Sequence, residues 1–229
     1  MGPPSSKGVL PRLLRLINYS FLFKKAEYIS FDAKRLLCMF AHNKYSKHPN
    51  ELYTKRKEIL DWLDKTHPDI IDLYGMGWDT AFESKTIMKL IGGTGIKRCF
   101  FKNMYHFYKG TVPQKLPVLM KYRFNVCLEN VKDIPGYITE KIFDCFFAGC
   151  VPIYLGANNI DKYVPAECFI DMRKYSDYGN LFSYINDMEK EEYEKYIENI
   201  KSFLSSENAH QFSAEYFSET IVNTLSNLM

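Results

Sequence analysis

Nowhere does this sequence hold an uninterrupted apolar run of the roughly 18 residues that a membrane-crossing helix requires. The nearest approach, residues 9–23 (VLPRLLRLINYSFLF), is broken by Arg12, Arg15 and Asn18, and no clear cleavage site follows it, so it does not read as a signal peptide. Its mixture of basic and apolar side chains suits a helix resting on a membrane surface, a peripheral contact, and equally a segment packed on a neighbouring domain. Also missing are CxxC pairs and any cysteine–histidine spacing of a zinc site. The six cysteines (Cys38, Cys99, Cys127, Cys145, Cys150 and Cys168) lie mostly in apolar runs and read as reduced core residues, an expectation of a reducing, cytoplasmic setting. A DxD pair that would hold a divalent ion is absent too, so neither metal nor cofactor is expected. Charge of one sign is scarce: the formal net charge is +3 and the pI near 8.4, too mild to mark a nucleic-acid binder. The basic cluster Lys55, Arg56 and Lys57 has mixed charge around it and no recognisable nucleic-acid motif, so no nucleic-acid partner is expected. There is no internal repeat and no long low-complexity tract.

What is present is aromatic and regular. Seventeen Tyr and seventeen Phe raise the aromatic share to 16%, material for a core first and for a ring-lined pocket second. Hydrophobic residues at 46% and charged residues at 25% are the values of a soluble globular chain, and 229 residues suffice to bury a full core. Residues 35–41 (RLLCMFA) form an apolar run of strand length. From Glu51 to His67 the period changes: Leu52, Ile59, Leu60 and Leu63 share one helical face, Asn50 is the expected cap, and Pro68 the stop. Ile70–Tyr74 is a second strand, followed by a turn at Gly75 and Gly77. Strand, helix and strand in about 40 residues is a βαβ unit and predicts a parallel sheet. The segment Asp79–Pro117 is irregular, and its Gly92, Gly93 and Gly95 follow no recognisable strand, so they read as a flexible turn rather than a phosphate loop. Strand character returns at Tyr122–Leu128. A loop then leads to a helix over about Thr139–Ala148, with Thr139 as cap and Gly149 as stop, and to a strand at Cys150–Leu155. Residues 178–203 and 214–228 carry helical periodicity with abundant Glu and Lys.

Open α/β sheets bind ligands beyond the carboxyl ends of their strands, where helix N-termini offer free donors and a positive dipole end to phosphates. The loop from Glu129 to Lys141 sits at such a place. It carries Asn130, the turn Pro135–Gly136, Tyr137, and then Thr139, Glu140 and Lys141 at a helix start. Residue chemistry alone supports an anionic-ligand site, and it equally supports a solvated first turn.

Three blocks in this region, FNVCLEN, GYITEKI and AGCVPIYLG, resemble the α-1,3/1,4-fucosyltransferase family, glycosyltransferase family 10. The family core reads F-x-x-x-x-E-N, then G-Y-x-T-E-K, then P-I/V-x-x-G. The match falls on Phe124, Glu129, Asn130, Gly136, Tyr137, Thr139, Glu140, Lys141, Pro152 and Gly156, and weaker likeness extends over roughly residues 34–175. The resemblance implies an α/β fold, a Rossmann-like parallel sheet flanked by helices that is the C-terminal, donor-binding half of a GT-B glycosyltransferase. It implies a division into an N-terminal lead (1–33) and a donor domain (34–229). It implies GDP-fucose as donor substrate and transfer of L-fucose, with inversion, to a glycan such as N-acetyllactosamine. Arg56 and Lys141 would meet the pyrophosphate, and Asn130, Tyr137 and Glu140 would line the ribose and fucose, with Glu140 and Lys141 as the catalytic pair. Glu27 and Asp32 are the only carboxylates ahead of the match, and neither corresponds to the family's general base. The second reading is therefore a non-catalytic nucleotide-sugar binding module.

Overall fold

The computed structural model describes residues 29–79 and 105–226. The basic-apolar segment 9–23, the glycines Gly92, Gly93 and Gly95, and Cys99 lie outside the described residues. Five strands make one sheet: β1 (Arg35–Phe40), β2 (Ile71–Tyr74), β3 (Tyr122–Leu128), β4 (Val151–Leu155) and β5 (Ile170–Asp171), in the order β2-β1-β3-β4-β5. Every neighbouring pair is parallel. A strand covered on both faces needs apolar side chains on both, which is why these strands read as continuous runs rather than alternations. All five residues of β4 are buried.

Around the sheet stand α1 (Tyr53–Thr66), the single turn α2 (Leu116–Leu119), α3 (Glu140–Phe147), α4 (Tyr178–Asp187), α5 (Lys190–Leu204), the short α6 (Glu207–His210) and α7 (Ala214–Ser226). Parallel crossovers are right-handed, and the β1–α1–β2 and β3–α3–β4 units run towards opposite edges, so α1 and α3 cover opposite faces. The packing agrees. Trp62 of α1 stacks on Phe182 of α4 with ring centroids 5.5 Å apart. On the other side Phe146 of α3 meets Phe203 of α5 at 6.1 Å, and Tyr193 of α5 meets Phe124 of β3 at 5.8 Å.

The helical periodicity over 178–203 resolves into two helices rather than one. Met188 and Glu189 take extended backbone angles, which separates the buried set Leu181, Phe182 and Ile185 from the buried set Tyr193, Ile197, Ile200 and Phe203. The cap of α1 also differs from the expected Asn50. The carboxylate of Glu51 accepts from the backbone N–H of Tyr53 (2.5 Å) and Thr54 (3.0 Å), whereas Asn50 donates its N–H to His48 Nδ1 (3.1 Å) and its carbonyl accepts from Lys132 N–H (2.9 Å). Gly149 ends α3 as expected: its φ of 60° is left-handed, and it sets up the bond from Cys150 N–H back to the Cys145 carbonyl (3.0 Å). Cys38, Cys127, Cys145, Cys150 and Cys168 are free and buried. Among the described residues no helix is long and apolar enough to cross a membrane.

Candidate anion site at the carboxyl end of the sheet

The strand order reverses between β1 and β3, and the crevice beyond the carboxyl ends of strands is where open α/β sheets hold ligands. The strand β3 is buried except at Arg123, mostly through apolar side chains with Asn125 among them, and the next residue is Glu129. Its N–H continues the ladder to the Leu155 carbonyl at 2.9 Å, so its side chain is carried inward and is fully buried. A carboxylate there needs donors. Its oxygens accept from Thr139 N–H (2.8 Å), from the Thr139 hydroxyl (2.7 Å) and from Lys141 Nζ (2.9 Å). Lys141 Nζ also donates to Thr139 Oγ1 at 3.1 Å, and the lysine side chain keeps 21% of its surface exposed. The ammonium thus bridges a buried carboxylate and the solvent, with one of its three donors left over.

Thr139 occupies the cap position of α3 but does not cap it, because its hydroxyl is turned to Glu129. The first-turn N–H groups of α3 therefore stand without a side-chain cap, beside the Lys141 ammonium. Orphan donors and a positive dipole end together favour an anion.

The strand exit behind Glu129 is tightly fitted. A Cβ on Gly156 would lie 2.5 Å from Glu129 Cγ and 2.4 Å from the Tyr154 hydroxyl, so only glycine lets β4 leave the sheet there. Arg173, following β5, donates to the carbonyls of Gly156 (2.7 Å) and Ala157 (2.8 Å), and Asp171 accepts from the Arg173 N–H at 3.0 Å. The Tyr154 hydroxyl accepts from Ala157 N–H at 3.1 Å.

Each residue singled out in the sequence has a definite place. Arg56 is buried in α1, and its Nη2 donates to the carbonyls of Leu128 (3.0 Å) and Glu129 (2.8 Å) and to Asn130 Oδ1 (3.2 Å). Burial lowers its pKa, with Tyr53 opposing. Asn130 is half-buried, and its carbonyl accepts from Leu52 N–H at 2.9 Å. The structure therefore gathers Arg56, Asn130 and Lys141 around one residue, Glu129. Tyr137 is half-buried in the connecting loop, next to Gly136, whose φ is 71° and whose N–H donates to Asn159 Oδ1 at 2.8 Å. Glu140 is exposed at the first position of α3. Among the described residues neither Tyr137 nor Glu140 takes a side-chain hydrogen bond, and no cluster of His, Cys, Asp or Glu is placed to hold a metal ion.

Sequence reasoning did not find Arg173 or the cleft beside it. Beyond β4 and β5, between α1 and the start of α4, lies a cavity of about 660 Å³ lined by Lys55, Trp62, Leu155, Arg173, Tyr175 and Tyr178, among others. That is the size of a small-molecule site. The signal for Glu129 itself was legible: an acidic residue directly ending a seven-residue buried strand has to be partnered.

Comparison with known proteins decides the family. Residues 34–218 match Glycosyltransferase family 10 (fucosyltransferase) C-term. The chain belongs to glycosyltransferase family 10. The family 10 chain is 34% identical over 74 residues to an alpha-(1,3)-fucosyltransferase of Helicobacter pylori, a stretch that is 32% of this chain and 15% of that enzyme. It is 35% identical over 79 residues to the human 4-galactosyl-N-acetylglucosaminide 3-alpha-L-fucosyltransferase 9, covering 33% of this chain and 21% of the relative. A crystal structure of an alpha1,3-fucosyltransferase with GDP superposes with a TM-score of 0.50 at 21% identity, over 82% of this chain and 42% of that one. Anabaena Alr3699/HepE in complex with UDP-glucose gives 0.50 at 15% identity, over 99% and 54%. These two show a shared Rossmann-like fold, and the family 10 chain spans about half of each.

Proposed function

We propose that this family 10 domain binds GDP-fucose at the carboxyl end of its sheet and is the donor half of a fucosyltransferase that transfers L-fucose, with inversion, to an N-acetylglucosamine-containing glycan. The observation that carries the reading is the Lys141 ammonium, held at the uncapped first turn of α3 with one donor to spare. Breaking the bond between fucose and GDP leaves an anionic diphosphate and a ring of oxocarbenium character. A positive charge and oriented N–H groups fixed where the negative charge develops lower that barrier more than they stabilise the ground state. Lys141 and the first turn of α3 take the diphosphate in this reading, and the exposed Glu140 and half-buried Tyr137 stand on the same segment for the ribose and sugar. Arg56 acts on the diphosphate edge through the end of β3. Cationic side chains and helix donors, not a bound metal, manage the phosphates.

The proton of the acceptor hydroxyl must go to a general base, a role this reading assigns to none of the residues named here. GDP at 100 times its Kd is expected to stabilise the fold by about 2.7 kcal/mol, a rise in Tm that Lys141→Ala reduces at the same GDP concentration. No rise at millimolar GDP, measured by calorimetry, sinks the proposal. GDP binding without any transfer to N-acetyllactosamine by the protein joined to an acceptor domain supports the non-catalytic reading instead.

A further inference from the structure

We propose that Glu129 is a positioning residue of the donor site, which fixes where the Lys141 ammonium stands when a nucleoside diphosphate arrives. The inference rests on the donor-site reading above and goes beyond it, because Glu129 touches neither phosphate nor sugar in that reading and acts only through Lys141 and Thr139.

Three observations converge. The carboxylate is fully buried, and each of its three donors comes from the segment that opens α3: Thr139 N–H, Thr139 Oγ1 and Lys141 Nζ. Its backbone is immobilised from both sides, by its own N–H on the Leu155 carbonyl and by Arg56 Nη2 on its carbonyl, while its side chain takes the space that a Cβ on Gly156 would need. Thr139 gives up the ordinary N-cap bond to reach it. A lysine is a compact charge on a flexible four-carbon stem, and left alone it samples many rotamers. Bound to a carboxylate that cannot move, the same ammonium keeps one position and one remaining donor. A bond to that donor in the bound state is then formed without first ordering the side chain, which is how preorganisation gains affinity.

Glutamine at this position keeps the shape but brings an amide N–H₂ against an N–H, a hydroxyl or an ammonium, so the anchor fails while the volume is preserved. GDP binding is measured by titration calorimetry in a four-protein cycle: wild type, Glu129→Gln, Lys141→Met and the double variant. Glu129→Gln is expected to weaken GDP binding about tenfold, the scale of one charge-assisted hydrogen bond, and to weaken it no further once Lys141 is Met. A purely structural glutamate gives the same factor in both backgrounds, and that result, or an unchanged affinity in Glu129→Gln, overturns the proposal. Should Glu129→Gln not fold, the wild type answers by itself: the ¹⁵N order parameter of the Lys141 ammonium is expected to exceed that of the exposed Lys65, and equality overturns the proposal. Failure of the wild type to bind GDP would instead remove the donor-site reading, an outcome distinct from wild-type binding with equal factors in the cycle.

Discussion

Gly156 stands where β4 leaves the sheet, and the space denied to its side chain is filled by Glu129 and Tyr154. Both neighbours are buried and hydrogen-bonded, so neither yields to an added methyl group. Gly156→Ala is expected to destabilise by about 1–3 kcal/mol through overpacking, read as a lower midpoint in urea, and to weaken GDP binding because Glu129 is displaced. Lys34 is a second residue whose surroundings are decided by others. It is buried, donates to the Gly149 carbonyl and lies 3.1 Å from the Tyr193 hydroxyl, which itself donates to the same carbonyl at 2.8 Å. Burial holds its pKa below the ordinary lysine value of 10.5, against the pull of Cys150 and Cys38. The folded state therefore binds this proton less readily than the unfolded chain, so its stability contribution is present above pH 10.5 and is lost as the pH falls through the folded pKa. Lys34→Met leaves the Gly149 carbonyl with its tyrosine. The variant is expected to match or exceed the wild type in Tm at pH 7, with the difference shifting towards the wild type as the pH approaches 10.5.

At the scale of elements, the end of β3 is where helix and strand chemistry meet. Arg56 projects from α1 and ties down the carbonyls of Leu128 and Glu129, where the strand ends. Arg56→Met leaves buried acceptors without a donor, at a cost of about 1–3 kcal/mol. Its expected signature is a lower Tm together with weaker GDP binding. In Lys141→Ala, by contrast, the weakening of GDP binding outweighs the change in Tm. Equal Tm for wild type and Arg56→Met would show that the arginine serves the ligand alone. The cap of α1 makes a related point. Asn50 and Glu51 are both acceptors placed before the helix, and local sequence preference favours the asparagine. The pairing of residue 51 with Val131 and of the Asn50 carbonyl with Lys132 turns the neighbouring glutamate to the helix instead.

For the whole molecule, the strand order places the reversal between β1 and β3 in the interior of the sheet, and the site at the carboxyl end of those strands. The chain covers 42% of the fucosyltransferase crystal structure that it resembles in fold. Binding and transfer are accordingly expected to separate. A radiolabelled-donor assay should find no transfer to N-acetyllactosamine by this chain alone, and transfer once it is joined to an acceptor-binding domain. Transfer by the 229-residue chain itself would place the general base within it and refute this division of labour.

Much of this was decided locally. Buried parallel strands have to be apolar on both faces, and amphipathic helices have to show a 3.6-residue period, so the βαβ order, the sheet class and the stop at Gly149 follow from the amino-acid sequence. The blocks FNVCLEN, GYITEKI and AGCVPIYLG carry the family as well, because their spacing lies within a single strand, loop, helix and strand. What only the tertiary structure decided are the partnerships across the chain. Glu129 meets Lys141 because the loop between β3 and α3 folds back on itself. Arg56 meets the end of β3, 72 residues away, because α1 packs beside it. Arg173 secures the exit of β4, and Thr139 serves a carboxylate rather than its own helix. Hydrogen-bond partners of polar side chains are set by which groups burial brings within about 3 Å, and that distance is a property of the packed fold, not of the order of residues along the chain.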